Sequence, residues 1–365
     1  MSLKKKQQLG LYEEPNLSAA YTPPTHLLPI RVSAAYDTYW RFAVERQNVF
    51  FRRLSNDQMP WSTDPIISLH KFTNAYRASD RVSQYLIRHV IYRDDLPKTV
   101  VEVFFRTLLF KFFNKIETWE LLQNSLGEIT FENYLFENYD KVLSQAMLER
   151  KRIYSAAYIM PPGGSAFGHK LKHQNHLRLL ELMMHDGVPQ TLTGLTRMQS
   201  AFELLRSYPT IGDFLAYQFV TDINYSEITN FSEMDFVIPG PGARDGIRKC
   251  FSDMGGLNEA EIIRLMVDNQ DQEFERLGLD FKSLWGRKLQ LIDCQNLFCE
   301  VDKYSRVAHP EIAGISGRIR IKQKFSPSGK ISAPWYPPKW GINEKISDEF
   351  QTIKVGEKIK AKKRN

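Results

Sequence analysis

The chain has 365 residues, of which 42% are hydrophobic and 12% aromatic. This supplies a large core in one or two domains and excludes a disordered polypeptide. The formal net charge is +7, and three cysteines, Cys250, Cys294 and Cys299, are too few for a disulfide framework or a four-ligand zinc site.

The charge is uneven. From Ile315 onward there are 13 Lys and Arg against 4 Asp and Glu, while the rest of the chain is slightly acidic. Such a stretch favours a polyanion such as nucleic acid; a solubilising tail is the plainer reading. The N-terminal MSLKKKQQLG has charge but no apolar run behind it, so no signal peptide is expected. No 18-residue apolar run is present, which predicts no membrane partner and a cytoplasmic setting.

Residues 1–30 are polar and contain Pro15, Pro23, Pro24 and Pro29, which predicts a flexible arm without its own core. From Tyr36 to Leu54 the apolar positions Tyr36, Tyr39, Trp40, Ala43, Phe50, Phe51 and Leu54 fall at helical spacing. Phe72 to Tyr92 reads as a second helix, with Phe72, Ala75, Tyr76, Val82, Tyr85, Leu86 and Val90 inward. Its polar set includes Asn74, Arg77, Asp80, Arg81 and Arg88. A helix would place Arg77, Arg81 and Arg88 on one face, either a solvated charge pattern or a phosphate-binding surface.

Helices are next expected at Val100–Phe113, a strongly apolar run, and at Ile116–Leu126. Two more are expected at Thr130–Tyr139, with Thr130 as N-cap, and Lys141–Ala157. The glycines from Gly163 to Gly168 imitate a phosphate loop, but His169, Lys170 and Leu171 follow where a Lys-Ser/Thr pair is needed, and no strand precedes them. A helix over Lys170–Asp186 would carry His173 and His176, with His169 just ahead. The spacing permits a shared face, but no carboxylate completes a metal set before Glu181, so a groove-facing or hydrogen-bonded role is expected and no metal is assigned.

Helices at Thr193–Tyr208 and Asp213–Asn224 flank a tight turn, Pro209-Thr210-Ile211-Gly212. Asp235 follows 23 residues after Gly212, among Met234, Phe236, Val237 and Ile238. Pro239-Gly240-Pro241-Gly242 then opens another helix, Arg244–Met254. Asn258 with Glu261 has capping-box spacing for a helix to Asn269, and Leu289–Tyr304 is the last core helix. Beyond His309-Pro310, Arg318, Arg320, Lys322 and Lys324 alternate with Ile319, Ile321 and Gln323, as a short strand or extended arm on phosphate, with Trp335, Tyr336 and Trp340 packing back. The predicted fold class is all-α: a helical domain over 31–310 and a basic, mostly extended arm over 311–365.

A helix, a glycine turn, a helix and then a lone carboxylate resemble the layout of helix-hairpin-helix DNA glycosylases. Backbone N–H groups at Thr210, Ile211 and Gly212, and at Gly240 and Gly242, would grip a phosphate. More specifically, YDTYWRFAVERQ (36–47), FTNAYRASDRVSQYLI (72–87), NHLRLLELM (175–183), IGDFLAYQFVTDINYS (211–226), FSEMDFVIPGPGARDGI (231–247) and LQLIDCQNLFCEVDKY (289–304) resemble the helical DNA-base hypermodification proteins. These are the alpha-glutamyl/putrescinyl-thymine pyrophosphorylase group and the helical domain associated with 5-hydroxymethyl-deoxyuridine DNA kinases.

The resemblance implies a flipped 5-substituted uracil in DNA, with an activated 5-hydroxymethyl group replaced by an amine-bearing group from an amine or amino-acid co-substrate. Asp235 would be base or charge stabiliser, with Asn74, Arg77, Asp80, Arg81, His173, His176 and Arg244 around it. Two other readings stay open: a monofunctional glycosylase, and a non-catalytic DNA-binding module. Ser207, Asp213 and Phe214 stand where bifunctional glycosylases carry a lysine, so no lyase chemistry through such a lysine is expected. With no P-loop, autonomous phosphorylation is not expected, and no cofactor is assigned.

Overall fold

The computed structural model describes residues 29–55, 58–326 and 331–347. The expected Pro-rich arm and the end of the basic arm fall largely outside these residues. Helices dominate: α1 (Ala34–Leu54), α2 (Pro65–Leu69), α3 (Arg81–Leu86), α4 (Val100–Phe113), α5 (Ile116–Leu126), α6 (Phe136–Leu148), α7 (Gly164–Phe167), α8 (Lys172–His185), α9 (Val188–Thr193), α10 (Met198–Arg206), α11 (Asp213–Ile223), α12 (Pro241–Cys250), α13 (Glu259–Asp268), α14 (Gln270–Arg276) and α15 (Leu291–Ala308). One antiparallel pair, β1 (Arg31–Val32) with β2 (Phe251–Asp253), is the only sheet among the described residues.

Two groups of helices share the core. The first surrounds α4, of whose 14 residues only Val100 and Val101 are not buried. A helix apolar on nearly every side belongs at the centre of its layer, and α8, α9 and α11 pack around it. The second group is α1, α12, α13 and α15. Here α12 approaches α15 closely because Gly246 has no side chain: a Cβ there would lie 2.0 Å from the Phe298 carbonyl oxygen. The 3₁₀ turn Arg77–Ser79 packs on α15 and sends Arg77 across to α11, so it joins the two groups.

Several expected helices are divided, for identifiable reasons. Residues 72–80 form no α-helix, because the Asp80 carboxylate takes the Asn74 backbone N–H at 2.8 Å and the Asn74 amide donates to the Ser79 carbonyl at 2.7 Å. Side chains that capture nearby backbone groups in this way compete with a helix. Only α3 and the π-type turn Ile87–Ile91 remain of that pattern. Thr130 does accept from the Asn133 N–H at 3.2 Å, but it caps a turn, and α6 begins later. The pattern over Arg244–Met254 gives way to β2 after Cys250. By contrast α4 and α5 keep their expected limits, and Asn258 and Glu261 form the capping box.

The C-terminal segment carries neither helix nor strand over 318–323. Arg318, Arg320, Lys322 and Lys324 are exposed, and Lys324 forms an isolated bridge with His70. The aromatic residues that follow do return to the body. Tyr336 is fully buried with its hydroxyl 2.7 Å from Ser79 Oγ, and Trp340 stacks on it at 5.7 Å.

Candidate functional site

The turn made by Asn74 and Asp80 presents Arg77, whose side chain is 1% exposed. Its backbone N–H donates to Asp293 at 2.9 Å, which fixes the turn on α15. The guanidinium then binds Asp222 of α11 through both nitrogens, Nη1 at 2.8 Å and Nη2 at 3.0 Å. Nε donates to Gln218 Oε1 at 3.1 Å and Nη1 also to the Tyr225 hydroxyl at 2.9 Å. Lys111 of α4 approaches the other side of Asp222 at 3.1 Å and donates to Asn114 at 2.7 Å. Two cations thus converge on one carboxylate away from water, where an unpaired charge would be strongly unfavourable.

The electrostatics follow from that packing. Burial alone would raise the Asp222 carboxyl, but Arg77 and Lys111 outweigh it and hold it below its ordinary value. Burial pulls the Lys111 amine down to about 8 despite Asp222. Beside this centre, burial pushes both Asp80 and Asp293 up to about 7. Five ionisable groups from four segments, Arg77, Asp80, Lys111, Asp222 and Asp293, therefore gather around one guanidinium.

The centre is roofed by aromatic rings. Lys111 Nζ lies 4.6 Å from the Tyr158 ring centroid, and the Arg77 guanidinium carbon 5.9 Å from it. Tyr158 in turn stacks on Phe214, with centroids 5.7 Å apart and planes 6° from parallel. Both residues are partly buried, and burial pushes the Tyr158 phenol up to about 12. Phe214 stands in the first turn of α11 and packs on Gly240, where a Cβ would come within 2.8 Å of its ring.

The residues expected to surround one pocket do not all meet. Asn74, Arg77 and Asp80 belong together, as described. Arg81 is exposed and lies 4.0 Å from Glu117, so the expected common face of Arg77, Arg81 and Arg88 does not exist: the segment is not one helix. Arg244 is exposed on α12. His173 and His176 are fully buried in a second cluster rather than facing a groove. His173 Nε2 is 2.7 Å from Asp140, and burial lowers its basicity. His176 Nε2 faces the Pro161 carbonyl at 2.8 Å and must donate to it; Nδ1 therefore accepts from the Tyr154 hydroxyl at 2.8 Å. Burial takes the His176 ring down to about 4, so it is a neutral, fully bonded structural group.

Asp235 is half-buried at the start of α10. One oxygen accepts the Met198 N–H at 3.2 Å, and the other pairs with Arg197 at 3.3 Å. It caps a helix N-terminus instead of standing alone in apolar surroundings. In the hairpin, the left-handed residue is Thr210, with φ 68°, not Gly212, which is extended and precedes α11. Ile211 is buried. The close approaches at Gly240 and Gly242 are intramolecular, to Phe214 and to the Cys299 side chain.

Lys111, Asp222, Gln218 and Tyr158 were not among the expected site residues. The available signal was Lys111 itself: a cation inside the apolar run LLFKFF needs a buried anion, and that anion lies on another segment.

The chain belongs to the family described as the 5-hmdU DNA kinase helical domain, whose model matches residues 33–314. A 5-hmdU DNA kinase of Bacillus phage SP10 is 27% identical over 288 residues, which is 74% of this chain and 44% of that protein. The chain thus spans less than half the length of that relative. No solved structure matches it.

Proposed function

We propose that the chain takes part in modifying DNA that contains 5-hydroxymethyluracil, holding one modified pyrimidine at the Arg77–Lys111–Asp222 centre and replacing its activated 5-substituent by an amine-bearing group. The observation that carries this reading is Lys111, an amine brought near neutrality by burial, 3.1 Å from Asp222 and beside the Arg77 guanidinium. The family, and the name of its phage relative, support hydroxymethylated uracil as the substrate class.

In the proposed step an amine co-substrate attacks the methylene carbon. The C–N bond forms while the C–O bond to a phosphate or pyrophosphate breaks, and that group leaves with the electron pair. The surplus proton on the new amine passes to the minor fraction of Lys111 that a value of about 8 leaves neutral, and Arg77 offsets the charge of the leaving oxyanion. Exposed Arg318, Arg320, Lys322 and Lys324, with the α11 N-terminus at Gly212, would hold the DNA backbone.

A second reading has its own support. Every nitrogen of the Arg77 guanidinium is already engaged by protein groups, as suits a module that holds DNA while other residues supply the chemistry. One experiment separates the readings. The protein is incubated with DNA carrying 5-hydroxymethyl- or 5-phosphomethyluracil, with and without amines, and the nucleosides are read by mass. An amine-bearing nucleoside that disappears in Lys111→Met supports transfer. Unchanged DNA that is nevertheless bound supports the module. An abasic site makes the chain a glycosylase and overturns both.

A further inference from the structure

The Tyr158 ring occupies a position that its own backbone does not favour. Tyr158 sits at φ 55°, in the left-handed region, where a bulky residue is strained and persists only if its surroundings hold it. What holds it is the face of Phe214 on one side and the Lys111 and Arg77 cations on the other. Its immediate neighbours give it little: Ala156, Ala157 and Ile159 are exposed, Ile159 by 67%, and the loop is anchored only beyond them, at Tyr154 and Met160.

Around Arg77 and Phe214, the two groups that touch this ring, two fully buried amides keep polar atoms without a hydrogen-bond partner among the described residues: Gln218 Nε2 and Gln295 Oε1. Gln218 follows Phe214 by one turn of α11 and already binds Arg77 through its oxygen. Gln295 approaches Gly240, against which Phe214 packs. One amide offers a spare donor and the other a spare acceptor, and unsatisfied buried groups of this kind call for an explanation.

We propose that Tyr158 is a displaceable plug in a nucleobase site: a pyrimidine ring takes its place on Phe214 above Lys111 and Arg77, and its carbonyl and N–H edge satisfies Gln218 and Gln295. The chemistry matches at each point. A pyrimidine is planar and stacks as the tyrosine does, and it carries an acceptor and a donor side by side, which the phenol ring lacks. This site rests on the reading of the Arg77–Lys111–Asp222 centre as the place where modified DNA is held. A plug lowers apparent affinity in proportion to the fraction of molecules in which the site is open.

The test uses the full chain and two single-stranded oligonucleotides that differ only in carrying one 5-hydroxymethyluracil or one thymine. Binding is read by fluorescence anisotropy, and plug displacement by chymotryptic cleavage after Tyr158. Tyr158→Ala is expected to bind the hydroxymethyluracil oligonucleotide at least about threefold tighter than wild type, because the competing ring is gone. Tyr158→Phe, which keeps the ring, should match wild type. Saturating oligonucleotide should speed cleavage after Tyr158 in the wild-type chain. Equal binding by wild type and Tyr158→Ala, no binding by either, or unchanged protection of Tyr158 would overturn the plug. If Tyr158→Ala gains affinity equally for both oligonucleotides, the plug stands and the assignment to hydroxymethylated DNA fails.

Discussion

Asp222 lies near the C-terminal end of α11 and Asp235 in the loop between α11 and α12, and the structure treats them in opposite ways. Asp222 is wholly buried between Arg77 and Lys111, which reach it from two distant parts of the chain. Asp235 is partly exposed and holds the N-terminus of the next helix in space, α10. In the sequence Asp235 is the conspicuous one, because its neighbours are apolar. Isolation along the chain is a poor guide to isolation in space. The carboxylate with unusual electrostatics is the one whose partners come from elsewhere.

That contrast is broken most directly at Asp222. Asp222→Asn leaves two buried cations without their anion, and removal of one partner from such a group destabilises by about 3–5 kcal/mol. Urea unfolding should show a loss of that size. Adding Lys111→Met removes one of the stranded charges, so the double variant should recover part of the stability, a coupling that a double-mutant cycle measures directly. A loss under about 1 kcal/mol, the range of an exposed pair, would mean that the centre is wetter than its packing implies.

A smaller effect separates the rim of the centre from its middle. Asp80 has its folded-state value raised to about 7, and burial is the chief cause. The folded chain therefore binds this proton more tightly than the unfolded chain does. Its contribution to stability is fully present below the ordinary carboxyl value near 4 and is lost as pH rises through about 7. Asp80→Asn keeps an acceptor for the Asn74 N–H without the charge. The variant should melt above wild type at pH 8, by about 2 °C or more, and the difference should close toward pH 5. A melting difference that does not change with pH would show that Asp80 is not titrating in this range. Asp293, also near 7, is present in both proteins, so the comparison is made as the difference between variant and wild type at each pH.

The legible parts of the molecule were those decided locally. The α4 run is apolar on nearly every side, so burial and helix coincide, and Asn258 with Glu261 completes the cap of α13 within four residues. The divided segment at 72–92 was not legible because its apolar spacing is helical while Asn74 and Asp80 spend their side chains on the backbone. The centre was half legible. Arg77 and Asp80 belong to the polar set noted in the sequence, but nothing local says that Arg77 turns inward to Asp222 while Arg81 stays in solvent. Lys111 was concealed by the same apolar run that announced its helix.

The least disruptive substitution tests the other half of the comparison. Asp235→Ala removes an oxygen from the α10 N-terminus and one partner of a half-exposed ion pair, so a loss of about 1 kcal/mol is expected. Asp235→Asn still offers an oxygen to the Met198 N–H and should restore most of that loss. Both variants should bind a hydroxymethyluracil oligonucleotide as wild type does, because the carboxylate is committed to a helix end. The isosteric variant makes this a sharp test, since it separates the cap from the charge. If Asp235→Asn keeps native stability yet abolishes conversion of the modified nucleoside, the charge itself is needed. Asp235 would then be the reacting carboxylate, and the Arg77–Lys111–Asp222 centre would be the scaffold that positions it.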